Sequence, residues 1–289
     1  MTERNKNSSI VATLKRWGGF AFRLVAGLAL MLFIPQIAMH FGAKGIGSLA
    51  AACLSSTLAV GAFFLFVRAT EGAWPHVFRS RYGLKEIATG IALGVTLSAS
   101  SVLLLWLLGA YEVRSVVPTE EWGRVLLAAL PIPIYSSIVE ELAIRGVVTR
   151  QIARMFSPAA ALIVSAILFG AIHLMNDNAS LTIGAGLVVQ AGMLLGVAYL
   201  WTQRLWLPIG LHFAWNFMQA GSVGGALSGS KVSAIMTTVP RGPEWLSGGA
   251  FGIEGSIITT LVCFAAAAGM FYVATKGGLR WGEPQRSDG

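Results

Sequence analysis

The chain has 289 residues, 55% of them hydrophobic and 12% charged, with a mean hydropathy of +0.69. A soluble domain carries about 25% charged residues, so this composition excludes a water-soluble globule, a disordered chain and a disulfide scaffold, and leaves an integral membrane protein. The net charge of +8 fits either nucleic-acid binding or membrane anchoring, and the positions of the basic residues decide between them.

Taken in chain order, Met1 to Ser9 is polar and no short apolar core with a cleavage site follows it, so no cleaved signal peptide is expected. A helix needs about 20 mostly apolar residues to cross a bilayer. Eight segments qualify, at roughly 20–41, 46–68, 86–110, 125–149, 158–175, 180–201, 205–221 and 252–275, the fifth and seventh being short and interrupted by polar residues. The expected fold is therefore an all-α polytopic membrane helix bundle. A cytoplasmic segment (1–19), a transmembrane domain (20–275) and a cytoplasmic tail (276–289) divide it, each boundary good to about 2–4 residues. Cys53 and Cys263 lie in apolar runs without metal-ligand spacing and are expected to pack as small hydrophobes.

The basic residues test this count. With the N-terminus inside, the inner segments hold Arg4, Lys6, Lys15, Arg16, Arg23, Arg68, Arg79, Arg81, Lys85, Arg150, Arg154, Arg204, Lys276, Arg280 and Arg286, fifteen in all. The outer segments hold five: Lys44, Arg114, Arg124, Lys231 and Arg241. The bias supports eight spans with both termini in the cytoplasm. It also explains the basic charge without a nucleic-acid partner; the expected partner is the lipid bilayer, with the oligomeric state left open. Gly90–Gly94 and Gly192–Gly196 have the spacing of close helix contacts. No internal repeat stands out. The Gly- and Ser-rich stretch 221–251, with Pro240, Pro243 and Trp245, reads equally as an outside loop or as a segment dipping back into the bundle.

Polar groups inside spans are costly, so each is a candidate site. The fourth span holds Glu140, Glu141 and Arg145 in VEELAIRG, the fifth His173 in FGAIHLM, and the seventh His212 and Asn216 in LHFAWN. His212 and Asn216 share a helix face at i and i+4, as do Phe169 and His173, and Glu141 and Arg145. Glu140 is turned about 100° from Glu141 and can face another neighbour. A rise of about 1.5 Å per residue puts Glu140, His173, His212 and Asn216 within one or two turns of a common depth, where they need a water-filled cavity.

One carboxylate, two imidazoles and an amide suit amide hydrolysis. The carboxylate takes a proton from water, one histidine holds that water, and the second histidine and the amide donate to the tetrahedral oxyanion. A rival assignment makes Glu140, His173 and His212 zinc ligands with Glu141 as the base. The residues alone leave both open; no cofactor is expected under the first and zinc under the second. A proton-coupled transporter, or an immunity or scaffold protein, would also place Glu and His at mid-membrane. His-Glu-x-x-His, Gly-x-Ser-x-Gly and Gly-x-Gly-Asp are all missing. His40 and His76 read as interfacial or solvated, and Phe169 as core or cavity wall. Gln190 is polar and mid-span, and Glu254 reads as interfacial or cavity-lining.

Glu140-Glu141-x-x-x-Arg145, Phe169-x-x-x-His173 and His212-x-x-x-Asn216 resemble, in order, the three motifs of the CPBP family. These are the CAAX proteases and bacteriocin-processing enzymes, also called Abi or type II CAAX prenyl endopeptidases. Gly248-Gly249-Ala250-Phe251-Gly252-Ile253-Glu254-Gly255 is similar to a segment of its bacterial members, and the likeness covers roughly 120–260. The resemblance implies an eight-helix intramembrane endopeptidase in a bacterial plasma membrane, with its catalytic cavity inside the bilayer and a membrane-associated or lipidated peptide or protein as substrate. It also implies that Glu140 and His173 activate water, that His212 and Asn216 form the oxyanion hole, and that Glu141 and Arg145 support them; the family is often called metalloprotease, and a metal-free glutamate mechanism is the reading favoured here, with zinc the alternative.

Overall fold

The computed structural model describes residues 3–45, 47–78, 80–232 and 234–283. The side chains of Arg4, Lys6 and Lys44, all of Arg79 and Arg286, and the tail beyond 283 lie outside the described residues. The helices are α1 (Glu3–Gly45), α2 (Ser48–Glu71), α3 (Gly83–Leu107), α4 (Thr119–Met155), α5 (Pro158–Met175), α6 (Leu181–Thr202), α7 (Trp206–Phe217) and α8 (Ile257–Lys276). A π turn, Met218–Val223, prolongs α7. All of these except α7 are long and apolar enough to cross a membrane, α1 through Val11–Ile37. The chain is thus an all-α polytopic helix bundle and an integral membrane protein. The expected seventh span is a helix of only 12 residues, with six more in its π turn, and is not among the seven.

Local sequence sets the helix starts. Ser157 accepts a hydrogen bond from Ala160 N, with Pro158 at the first helical position of α5, and Ser180 and Ser256 cap α6 and α8 in the same way. Each hydroxyl satisfies one of the backbone donors that a helix start leaves over. α4 is irregular. Pro131 and Pro133 lie behind a break at Leu130, since proline offers no N–H to the preceding turn. Beyond Glu141 the chain widens into a π turn, Leu142–Thr149, before it resumes as α-helix.

Glycines bring the helices together. A Cβ at Gly90 would stand 2.4 Å from Leu207 O, at Gly94 2.5 Å from Leu211 O, and at Gly210 2.5 Å from Ile87 O. The backbones of α3 and α7 therefore touch with no side chain between them, as small-residue spacing allows. A Cβ at Gly192 would stand 2.7 Å from Ala166 Cα, so α6 meets α5 in the same manner. Phe63, Leu142, Val147, Tyr199 and Leu205 fill the core between α2, α4, α6 and α7. Phe22, Val25, Phe33, Leu103, Leu107 and Leu261 are exposed, the outward face that lipid would cover. Cys263 is buried, whereas Cys53 is exposed, contrary to its expected packing. The inward stripe of α2 runs through Ala51, Ser55 and Ala59, and Cys53, about 200° around from Ala51, falls on the far side.

The helix ends on one face are joined by ion pairs. Glu71 accepts from Arg150, Arg154 and Gln151, whose amide oxygen takes Arg23, and Arg204 pairs with Glu86. At the other ends, β1 (Tyr111–Val116) pairs antiparallel with β4 (Met236–Pro240). β2 (Gly225–Leu227) and β3 (Ser230–Val232) form a hairpin. The stretch 221–251 is therefore folded back on the bundle. Gly229, at φ 86°, would place a Cβ 1.9 Å from Asp177 O, so only glycine lets the hairpin tip rest on the α5–α6 loop.

Candidate active site

The site begins at the end of the regular part of α4. Glu141 is fully buried, and its Oε1 accepts from Arg145 Nη1 at 2.9 Å and from His212 Nδ1 at 3.0 Å. Arg145, also fully buried, sits in the π turn of α4, which aims it across the bundle. Its Nη2 donates to Ala191 O at 2.8 Å and Gly192 O at 3.3 Å, two carbonyls at a second π turn, Val188–Met193 on α6. π turns interrupt regular backbone pairing and often mark functional positions. Glu140, one residue earlier, faces differently: its side chain keeps 36% of its exposure, and its Oε2 lies 3.9 Å from His212 Nε2.

His173 ends α5. Its Nδ1 donates to Phe169 O at 2.8 Å, and its ring stacks on Phe169 with centroids 4.4 Å apart. The Arg145 guanidinium carbon lies 4.9 Å from the same Phe169 ring, and the His212 ring 6.3 Å from it. Phe169 thus spaces Arg145, His173 and His212, more than the wall that its sequence position suggests. With Nδ1 used as a donor, neutral His173 presents an Nε2 lone pair. His212 also spends Nδ1, on Glu141, so its Nε2 is the atom left for a substrate. Asn216, one turn along α7, donates from Nδ2 to Ser136 Oγ at 2.9 Å.

These groups surround a cavity of about 550 Å³. Glu140, His173, His212 and Asn216 all line it, with Tyr135, Phe169 and Trp215, while Glu141 and Arg145 lie behind its wall. The convergence expected from helix spacing is what the structure contains. His40 and His76 are not among the lining residues. Among the described residues, no three His, Cys, Asp or Glu side chains are grouped so as to hold a metal ion. Glu140, His173 and His212 are thus not gathered into a three-ligand set in this structure.

Two lining residues that sequence reasoning left undecided, Gln190 and Glu254, prove to be structural junctions. Glu254 is 5% exposed. Its Oε1 accepts from Trp215 Nε1 at 2.8 Å and Gln219 Nε2 at 3.2 Å, and its Oε2 from Ser228 N at 3.1 Å and Ser228 Oγ at 2.6 Å. Gln190 Nε2 donates to Glu254 O at 2.7 Å and Thr260 Oγ1 at 2.8 Å. Glu254 thereby ties α7 and the β2–β3 hairpin through its carboxylate, and α6 through its backbone carbonyl, around the cavity. Ser228 carried no sequence signal, because its partner is remote in the chain.

Residues 122–218 match the family model described as Type II CAAX prenyl endopeptidase Rce1-like. All seven motif positions from Glu140 to Asn216 fall within the match, which bears out the resemblance read from them; Glu254 and the hairpin lie beyond it. Comparison with curated proteins and with solved structures gave no match.

Proposed function

We propose that the protein is an intramembrane endopeptidase that hydrolyses a peptide bond of a membrane-associated or lipidated peptide or protein. The observation that carries this reading is Glu140 lying 3.9 Å from His212 Nε2 on the wall of the cavity, with Glu141 fixing the far nitrogen of that histidine. A water between Glu140 and His173 gives a proton to the Glu140 carboxylate while His173 Nε2 accepts its second O–H. The water oxygen attacks the peptide carbonyl. The oxyanion receives hydrogen bonds from Asn216 Nδ2 and from Nε2 of a cationic His212, whose countercharge is Glu141. Glu140 then passes its proton to the leaving amine as the C–N bond breaks. Arg145 and Phe169 hold Glu141 and the two imidazoles in place. The reading includes no cofactor.

The placement proposed with it is a bacterial plasma membrane, with the segment 1–19 and the tail 276–289 in the cytoplasm and the transmembrane domain 20–275 between them. Glu140→Gln keeps size and polarity but removes the base. It should reduce cleavage by roughly 10²- to 10⁴-fold while insertion and folding persist. Comparative peptidomics of cells carrying each form would reveal the substrate as a peptide whose processing stops; unaltered processing would refute the mechanism. Activity that survives in a preparation shown by elemental analysis to be metal-free is the second expected result, and activity restored only by zinc would reverse it.

A further inference from the structure

Glu140, Asp177 and Glu254 line the cavity, and no Lys or Arg does. The one cation on its wall is the His212 imidazolium of the mechanism, bound through Nδ1 to Glu141, so acidic groups outnumber it. Arg145, behind the wall, is already paired with Glu141. The four groups that donate to the Glu254 carboxylate are an indole, an amide, a hydroxyl and a backbone N–H, all neutral. They hold the charge in place without cancelling it. Burial first, and the Glu254 charge second, push the Tyr111 phenol on β1 above its ordinary range. Asp177 is exposed on the α5–α6 loop beside the hairpin tip.

A second, independent observation concerns Gln190. It is 3% exposed and lines the same cavity. Its Nε2 is used twice, but its Oε1 is buried without a partner. A buried amide oxygen without a donor is a cost to the folded chain, and a bound donor would relieve it.

We infer that the cavity receives a cationic group of the substrate, an ammonium or guanidinium, in the field of Glu254 and within reach of Gln190 Oε1, with Asp177 drawing it in at the rim. This rests on the endopeptidase reading and narrows its substrates to basic peptide segments. Glu254 and Asp177 are then specificity-determining, and a substrate carboxylate is repelled from this wall.

The test is a binding measurement on the full chain in nonionic detergent, with Glu140→Gln present so that no turnover intervenes. Fluorescent apolar peptides differing at one position, Lys, acetyl-lysine or Glu, each with a free or an acetylated N-terminus, are compared by anisotropy. The Lys peptide should bind about tenfold tighter than its acetyl-lysine twin, as one added ion pair in a partly desolvated site gives. The advantage should shrink in Glu254→Gln and in Asp177→Asn; Asp177 is exposed, so its variant tests the charge even where Glu254→Gln loosens the hairpin. An advantage that follows the free terminus identifies a terminal amine as the cation, and one that follows Lys identifies a side chain. Equal binding of all probes, absence of binding included, would overturn the inference, as would an advantage undiminished in both variants. Because binding is read without cleavage, failure of the protease reading leaves this result intact, and a charge-blind cavity in a working protease sinks only this inference.

Discussion

Glu141 has no solvent to fall back on: it is fully buried, and one oxygen serves both Arg145 and His212. Removing one partner of a buried pair leaves the other charge uncompensated, at a cost of about 3–5 kcal/mol. Arg145→Met should therefore lower thermal stability sharply. Combining it with Glu141→Leu should restore much of the stability but none of the cleavage, because His212 then loses the acceptor at Nδ1. A double variant as unstable as Arg145→Met alone would show that the pair is not the source of the loss. At this scale the sequence was informative because charged side chains are conspicuous in apolar runs. That gave Glu140, Glu141, Arg145, His173, His212 and Asn216. Which of two adjacent carboxylates grips the imidazole depends on how the helices face one another, and the roles of Ser228 and Gln219 depend on Glu254, which is distant in the chain.

Among the elements, the crossing of α3 over α7 places His212 and Asn216. Gly94→Val would drive a side chain into Leu211 O, only 2.5 Å from the Cβ position, and push α7 from its seat. A misplacement of about 1 Å at reacting groups costs on the order of 10²-fold in rate, so activity should fall by that much or more. Gly61→Val on α2, where nothing lies within 4 Å of the added Cβ, should leave turnover unaltered; equal losses in the two would remove the crossing as the cause. The spans were legible because apolar runs long enough to cross a bilayer occur for little else. The π turns were not, since a single added residue barely disturbs a 3.6-residue pattern. The short strands were not, since Gly225–Leu227 and Ser230–Val232 lack alternation and are held by distant partners.

For the whole molecule, the proposed placement of both termini in the cytoplasm requires an even number of crossings. Seven helices are apolar enough to cross unaided, and we propose that α7 with its π turn, Trp206 to Val223, makes an eighth crossing that returns the chain. Reporter fusions at the two ends should both read cytoplasmic; opposite readings would remove α7 from the count. The two rims of the bundle are fastened by different chemistry. One is joined by Glu71 with Arg150 and Arg154 and by Glu86 with Arg204, the other by the backbone ladder of β1 and β4. Burial shields the pairs of the first rim from dissolved ions, whereas the strand rim also carries an exposed pair, Arg241 with Glu112, which salt screens readily. Added salt therefore weakens the charge contact at the strand rim before those at the rim held by Glu71 and Glu86.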